Sequence, residues 1–295
     1  DIKVSEPIKT HDFGIYHPGI NDSPETFEDY NSFLKWYKEK GYFKPKGDWI
    51  GVIFYSASLN SDQLELQDRL IQELERAGFN VLAAFGYPPT QLVQRFMLDK
   101  VGKARVRVLA SFMFRMGSMA GANSQALLQK LGIPVINLIA MYNQGYKEWM
   151  ESRQGLSPFE VGWQITIPEI TGLIQPIVIG SKEKMTDPET GLSVIVTKPI
   201  EERVHQLVRR IQAWISLQKK PNPEKRIALI YYNYPPGKQN IGASYLNVVP
   251  SIKNIVQKLK DHGYNVGGQI PDQNQLLDIL LKSGRNIANW APGEL

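Results

Sequence analysis

The apolar run Trp49-Ile50-Gly51-Val52-Ile53-Phe54-Tyr55 decides the fold class of this chain. Its apolar residues do not alternate with polar ones, which is typical of a strand that is buried on both faces of a parallel sheet. A helical stripe follows at Leu66, Leu70 and Leu74, and Gly78 stands where such a helix commonly ends. The sequence therefore predicts a buried strand followed directly by an amphipathic helix.

The same strand–helix alternation continues along the chain. Further apolar runs predict buried strands at 79–85, 106–112 and 133–139, and the pattern at 122–131 predicts a helix between the last two. Short connections between alternating strands and helices indicate an α/β fold with a doubly wound parallel sheet. We expect Rossmann-like or flavodoxin-like units.

A second unit of the same kind is predicted after the polar stretch 219–224. The run at 226–232 resembles the opening strand, and helical and turn patterns follow it in the same order. We therefore expect an N-terminal segment, 1–46, packed on a first α/β domain, 47–220, with the start of an incomplete second α/β domain at 225–295.

Capping residues predict where two of the helices begin. Ser23, followed by proline, predicts the start of a short helix in the N-terminal segment. Ser157 and Glu160 form a capping box around a proline, which predicts a second helix start. Pro168 is expected to end that helix.

Composition excludes several classes of protein. The chain has 295 residues and no cysteine, so zinc fingers, iron–sulfur clusters, thiol nucleophiles and disulfide frameworks are excluded. The net charge of +5 comes from scattered basic residues, so we expect no nucleic-acid partner. No apolar run approaches the ~18 residues of a membrane span, and we expect a cytoplasmic protein. Because the chain starts at Asp1 and stops after a turn signal, we expect a piece of a longer protein.

Three segments contain candidate site residues, each with a structural alternative. The aromatic loop 231–242 contains Lys238 and is either an anion-binding loop after a strand or a packed Pro-Pro-Gly turn. Glu169 is either a metal ligand or proton acceptor in a cleft, or a solvated turn residue. His17 is either a ligand or a packed histidine, and Arg115 follows a strand end that could border the same crevice.

Motifs from several parts of the chain occur in an order that resembles the large-subunit family shared by aerobic cobaltochelatase and magnesium chelatase. They are Tyr16-His17-Pro18, Leu131-Gly132-Ile133-Pro134-Val135-Ile136-Asn137, Gly155-Leu156-Ser157-Pro158-Phe159-Glu160, Ile167-Pro168-Glu169-Ile170-Thr171-Gly172, Tyr232-Asn233-Tyr234-Pro235-Pro236-Gly237-Lys238 and Asn289-Trp290-Ala291-Pro292-Gly293-Glu294-Leu295. The motifs at 167–172 and 232–238 are the most specific pair.

The resemblance implies insertion of a divalent metal, cobalt or magnesium, into a tetrapyrrole. It also implies that separate AAA+ ATPase subunits hydrolyse ATP, which agrees with the absence of a G-x-x-x-x-G-K-[ST] motif. The fragment is expected to be inactive alone. Cobalt insertion into a corrin precursor in cobalamin biosynthesis is the preferred hypothesis, ahead of magnesium insertion into protoporphyrin IX and haem dechelation. A tetrapyrrole or small-ligand binding module is the alternative that is not an enzyme.

The resemblance also implies roles for individual residues. Glu169 and His17 are expected to handle the metal and to accept pyrrole protons, since oxygen and nitrogen ligands suit Mg²⁺ or Co²⁺. Substrate-binding roles are expected for Lys238, Tyr232, Tyr234, Asn233, Trp163 and Arg115. Among these, Lys238 would pair with a ring carboxylate, and the tyrosines and Trp163 would stack on the macrocycle.

Overall fold

Strands and helices alternate along the residues that the structure describes, which are 11–19, 23–60, 63–113, 115–116, 122–231, 241 and 245–283 of a computed structural model. The strands are β1 (Gly14–His17), β2 (Glu25–Phe27), β3 (Trp49–Phe54), β4 (Asn80–Phe85), β5 (Val108–Ser111), β6 (Val135–Ala140), β7 (Ile174–Thr186) and β8 (Ser193–Pro199). The helices are α1 (Tyr30–Glu39), α2 (Ser56–Asn60), α3 (Glu65–Arg76), α4 (Pro89–Leu92), α5 (Ala122–Leu131), α6 (Tyr146–Glu151), α7 (Pro158–Glu160), α8 (Ile167–Ile170), α9 (Glu201–Lys219), α10 (Val248–Asp261) and α11 (Gln273–Ser283). Stretches of π-helix occupy Val93–Met97 and Val161–Thr166, and a 3-10 turn occupies Asn222–Glu224.

The strands form one sheet in the order β2-β1-β4-β3-β5-β6-β7-β8. The five central strands, from β4 to β7 in that order, run parallel. β1 and β2 extend one edge in the antiparallel sense, and β8 does so at the other edge. Numbered along the chain, the parallel strands have the order 2-1-3-4-5, as in flavodoxin-like sheets. The predicted α/β class is confirmed.

Burial on both faces explains the apolar run of β3. Val52 and Phe54 are fully buried in one hydrophobic cluster, whereas Ile53 is fully buried in the cluster on the opposite side. Gly51 also faces a close neighbour, because an added Cβ would lie 2.8 Å from Cδ1 of Leu109. Each fully buried side chain of this size contributes about 1.5–3 kcal/mol. A polar substitution at any of these β3 positions would therefore face a core.

The N-terminal segment differs from its prediction. The helix predicted to begin at Ser23 begins at Tyr30, because Asp29 provides the cap. Oδ1 of Asp29 accepts hydrogen bonds from the backbone N–H groups of Asn31 (2.8 Å) and Ser32 (3.1 Å). The residues before this cap form β2, which pairs with β1. Strands of three and four residues are too short to show periodicity, so the sequence gives no sign of them.

The helix after Ser157 begins as predicted but does not end as predicted. Oγ of Ser157 accepts a hydrogen bond from the backbone N–H of Glu160 (3.2 Å), which confirms the cap. Helical backbone then continues through the π-helical stretch and past Pro168 to Ile170. Pro168 is in the first turn of α8, where its missing N–H removes no bond of that helix, so the predicted stop was wrong.

The chain divides into two compact units, Asp1–Ile215 and Ser216–Leu295. The second unit contains α10 and α11 among its described residues. The strand predicted at 226–232 is not formed at 226–231, the described part of that range, so this prediction was wrong there. An apolar run alone does not make a strand, because its backbone groups also need a partner strand. A second α/β domain at 225–295 stays a prediction. Within the described ranges, no helix is long and apolar enough to cross a membrane.

A buried hydrogen-bond network attaches β1 to the helices. Nδ1 of His17 accepts a hydrogen bond from the backbone N–H of Gly19 (2.9 Å), so the ring proton lies on Nε2, which donates to Oε1 of Glu75 (3.0 Å). The Tyr37 hydroxyl donates to the same oxygen (2.6 Å). Burial, and then the Glu75 charge, raises the pKa of Tyr37 far above its usual range. Glu75 therefore holds two buried donors.

Replacement of this acceptor should destabilise the fold. We expect Glu75→Leu to lower the free energy of unfolding by about 2–4 kcal/mol, because two buried donors would lose their partner. Glu75→Gln keeps an acceptor oxygen, so it should lower the free energy of unfolding by less. Urea denaturation measures both, with Glu189→Leu as the exposed control, which should change by under about 0.5 kcal/mol. If Glu75→Leu and the control lowered the free energy of unfolding equally, the role of Glu75 as acceptor for two buried donors would be contradicted.

Candidate functional site

A crevice opens at the carboxyl edge of the sheet, beside the point where the strand order reverses. From β3 the chain passes to β4 on one side, whereas β5 pairs with β3 on the other side. Phe54 at the end of β3 and Phe112 just after β5 line the crevice, which encloses about 260 Å³. Open α/β sheets bind ligands at this position. The volume is below the roughly 300–1,000 Å³ of pockets for drug-sized ligands, so it suits a small molecule or one arm of a larger one.

Larger hollows lie elsewhere among the described residues. One of about 800 Å³ lies beside Lys220 and Arg226 in the second unit. Another, of about 640 Å³, lies beside Asp99 and Lys130. Neither is lined by residues from the carboxyl ends of the parallel strands. We therefore take the smaller crevice as the candidate site, because the topology favours it.

Aromatic side chains form part of the crevice wall. Tyr55 and Trp163 line it together with the two phenylalanines. Trp163 is in the π-helical stretch, and its ring meets Tyr142 edge-on with centroids 5.8 Å apart. It also contacts Phe159 at 5.9 Å. Segments of π-helix frequently mark functional sites, and here one carries a wall of the crevice.

Polar side chains from six elements and one loop also line the crevice. They are Ser58, Gln63, Gln67, Asn137, Gln164, Lys182 and Thr197. Lys182 on β7 is partly buried, and its Nζ donates a hydrogen bond to Oγ1 of Thr197 on β8 (2.7 Å). Burial lowers the pKa of Lys182 from its usual value. Within the described part of the chain, no carboxylate forms an ion pair with Lys182, so its charge faces the crevice without a counter-ion.

Gln67 provides an unsatisfied acceptor in the same wall. Its side chain is 6% exposed, and Oε1 is buried without a hydrogen-bond partner among the described residues. Buried polar atoms are usually paired, and an unpaired one costs about 1–3 kcal/mol. The crevice therefore combines an unpaired cation with an unpaired acceptor.

A buried carboxylate fixes the π-helical wall. Glu160 is fully buried, and its Oε1 accepts hydrogen bonds from the Tyr142 backbone N–H (2.7 Å) and from Nε2 of Gln164 (3.3 Å). Its Oε2 accepts from the Ser157 hydroxyl (3.0 Å). Nδ2 of Asn137 on β6 donates to the Gln164 carbonyl (2.6 Å). These bonds hold Gln164 and its helix against the end of β6.

Glu169 lies outside this crevice, on the surface of α8. Its side chain is exposed, and in the described ranges its carboxylate has no ion pair or hydrogen bond. Its backbone carbonyl accepts from Gly172 (3.0 Å), which closes the helix. No group of three or more acidic or histidine side chains suited to a metal occurs among the described residues. Roles for Glu169 in metal handling and proton acceptance stay predictions.

His17 is not brought together with Glu169. His17 is on β1, whereas Glu169 precedes β7, and these strands are five places apart in the sheet. At about 4.8 Å per strand this corresponds to about 24 Å across the sheet. Both ring nitrogens of His17 are engaged by Gly19 and Glu75, so a metal would have to displace one of those bonds. The metal and catalytic roles of His17 stay predictions, and the geometry shows a structural role.

The remaining predicted site residues are divided between the surface and the part of the chain that is not described. Arg115 is exposed and does not line the crevice, so its substrate contact stays a prediction. Tyr232, Asn233, Tyr234 and Lys238 lie outside the described residues. Of the predicted site residues that the structure describes, Trp163 alone lines the crevice.

Sequence reasoning missed Lys182 and Gln67. Gln67 had a detectable signal, because it occupies the buried face of α3 between Leu66 and Leu70. A polar residue on an apolar stripe indicates a specific partner. Lys182 had no comparable signal, since β7 continues into an exposed hairpin with other charged residues.

These features define the class of open α/β proteins that have a crevice at the point where the strand order reverses. The chain belongs to the family described as CobN/Magnesium Chelatase, whose family model matches residues 1–294. This agrees with the resemblance of the motifs.

Relatives on both sides of the family match most of the chain. It is 33% identical over 291 residues to the chloroplastic magnesium-chelatase subunit ChlH of Oryza sativa subsp. indica, with 94% of this chain and 20% of that protein covered. It is 24% identical over 244 residues to the aerobic cobaltochelatase subunit CobN of Sinorhizobium sp, with 81% and 19% covered. The chain thus spans about a fifth of the length of these relatives.

A solved structure supports the fold. The catalytic subunit of cobaltochelatase from Mycobacterium tuberculosis superposes with a TM-score of 0.67 at 19% sequence identity. The match covers 96% of this chain and 22% of that one. At this identity the likeness concerns the fold.

The unpaired charge of Lys182 should reduce stability. Because burial lowers its pKa, the cost is full at neutral pH, declines as pH rises through the folded-state pKa, and is gone above the unfolded value of about 10.4. We expect Lys182→Met to raise the free energy of unfolding at pH 7 by roughly 0.5 kcal/mol, since solvent screens part of the charge. Urea denaturation at several pH values should show this gain shrinking towards pH 10. If the gain in the free energy of unfolding grew with pH, the destabilising effect assigned to the charge of Lys182 would be contradicted.

Proposed function

We propose that this chain forms part of the large subunit of an ATP-dependent metal chelatase, which holds a tetrapyrrole while a divalent metal is inserted. The observation that carries the proposal is the family match over residues 1–294. In this reaction the divalent metal is a substrate and not a resident cofactor. We assign ATP hydrolysis to separate AAA+ ATPase subunits, as the family resemblance implies, and the lack of a P-loop motif in this chain agrees with that assignment.

Glu169 is proposed to assist insertion from the surface of α8. The ring must lose two pyrrole protons, and the metal must exchange water for ring nitrogens. An ionised carboxylate is suited to both tasks, since it accepts protons and binds hard divalent cations weakly enough to release them. The carboxylate of Glu169 is free of other partners in the described part of the chain, so it is available for either task.

The surface around Glu169 supports contact with a flat apolar ring. Ile170, the next residue, is 67% exposed. An exposed large apolar side chain can pack against an apolar ligand face. A tetrapyrrole face is apolar, whereas its centre carries the protons that must leave. A carboxylate beside an exposed apolar side chain matches that combination.

Two metals remain candidates, and each has its own support. Cobalt insertion into a corrin precursor is proposed first, on the motifs at 232–238 and 289–295. Magnesium insertion into a porphyrin is the second candidate, because identity to the rice magnesium-chelatase subunit is 33%, against 24% for the Sinorhizobium cobaltochelatase subunit.

The role of Glu169 is tested by Glu169→Gln in the large subunit that carries this chain, assayed with its ATPase subunits. We expect metal insertion to fall by about 100-fold or more, because the amide cannot accept a proton. Ring absorbance follows insertion. The fold should be unaffected, within about 0.5 kcal/mol, because the side chain is exposed.

Glu189→Gln is the matched control, since Glu189 is an exposed glutamate in the turn between β7 and β8. It should insert metal at the wild-type rate. If Glu169→Gln also retained the wild-type rate, the proposed role of Glu169 would be wrong.

Ring specificity is tested by titrating the chain with metal-free and metallated porphyrins and corrins while following fluorescence of its six tryptophans. Selective corrin binding would support cobalt, because the corrin precursor is then the substrate. Selective porphyrin binding would support magnesium. Absence of binding to every ring would contradict a ring-holding role for this chain.

A further inference from the structure

We infer that the crevice at the carboxyl edge of the sheet binds a carboxylate that has an N–H or O–H donor beside it. The groups that select this chemistry are Lys182, Thr197 and Gln67, which come from β7, β8 and α3. None of them belongs to the motifs that mark the family resemblance, and the site is separate from Glu169. Only the assignment of the carboxylate to a tetrapyrrole rests on the proposed function.

The charge balance of the crevice favours an anionic ligand. Lys182 is the single charged side chain that lines it among the described residues. Its Nζ has one hydrogen bond, to Thr197 at 2.7 Å, and an ammonium group has two further donors. Since Thr197 accepts that bond, its own hydroxyl proton can be donated to a second acceptor. An anionic oxygen would satisfy these donors and neutralise the charge.

The unpaired acceptor in the crevice favours a ligand that carries a hydrogen-bond donor. Oε1 of Gln67 is buried and has no partner among the described residues, so the crevice is incomplete when it contains no donor. A carboxylate alone offers no proton to this oxygen. A ligand with an N–H or O–H next to its carboxylate satisfies Gln67 and Lys182 together. This requirement is independent of the charge of Lys182.

The size and charge of the crevice favour a carboxylate over a phosphate group. One lysine balances one negative charge, whereas a phosphate ester carries nearly two and is usually held by several cations or by a helix N-terminus. The volume of about 260 Å³ accommodates a short acid arm and not a whole macrocycle. Trp163 in the wall offers an aromatic surface to the body that carries the arm.

Two sources could supply this group. One is a tetrapyrrole with neighbouring acid arms, in which two close carboxyl groups share a proton and so provide both a carboxylate and an O–H. The other is a free small hydroxy acid. The first source connects the crevice with the proposed function, whereas the second makes it an independent site.

The experiment measures binding of uroporphyrin, which has an acetate and a propionate arm side by side on each pyrrole, and of its octamethyl ester in the same dilute detergent. Glycolate is the small-acid probe. Calorimetric titrations compare the wild-type chain with Lys182→Met and with Lys184→Met, a control that removes an exposed lysine from the same strand. Circular dichroism checks that both variants are folded.

We expect Lys182→Met to weaken uroporphyrin binding by about tenfold or more, as is typical when a charge-assisted hydrogen bond is lost. The control should bind as the wild type does. The octamethyl ester should bind weakly and equally to the wild type, Lys182→Met and Lys184→Met, because it has neither a carboxylate charge nor a carboxyl O–H. Gln67→Leu should also weaken uroporphyrin binding, which separates the role of the acceptor from that of the charge.

The outcomes distinguish this inference from the proposed function. Equal uroporphyrin affinity in wild type and Lys182→Met would overturn the inference and leave the ring-holding role intact. Binding of glycolate but not of uroporphyrin, with loss in Lys182→Met, would support an independent carboxylate site and contradict binding of a ring's acid arms in the crevice. Binding of neither probe would overturn the inference, whereas the ring-holding role is tested by the wider panel of porphyrins and corrins.

Discussion

The parallel pairing of β3 between β4 and β5 is the constraint on which the rest of this structure depends. It buries both faces of β3, so Val52 and Phe54 belong to one core and Ile53 to the other. It also places the reversal of strand order beside β3, because the chain turns to β4 on one side and resumes with β5 on the other. The loops diverge at that reversal and leave a crevice at the carboxyl edge. The fold and the candidate site thus both depend on the pairing of β3 with β4 and β5.

The crevice and the His17 network show how a functional site differs from a structural cluster. In the network, every named polar atom has a partner, and Glu75 accepts from both His17 and Tyr37. In the crevice, Lys182 has no counter-ion and Oε1 of Gln67 has no partner among the described residues. Unsatisfied groups reduce stability, so their presence at the strand-order switch indicates a ligand that completes them. A buried histidine, in contrast, stabilises the fold.

Much of the fold could be predicted from the sequence because it depends on local patterns. The runs that become β3 and β4 are continuous and apolar, and Ser157 caps its helix through a neighbour three residues away. β1 and β2 could not be predicted, since strands this short are recognisable only by their pairing. The crevice could not be predicted either, because Gln67 and Lys182 line one pocket only after the sheet has assembled. The stacking role of Trp163 stays a prediction from the family resemblance, whereas its place in the wall is seen only in the structure and depends on the buried Glu160.

The central claim is that this chain contacts its ligand at the strand-order switch. The most direct test is a crystal structure of the chain grown with uroporphyrin. We expect a carboxylate of the ring within hydrogen-bond distance of Nζ of Lys182, and a second arm that reaches Oε1 of Gln67. A bound ring with no carboxylate in the crevice, which would then hold only water, would contradict this claim.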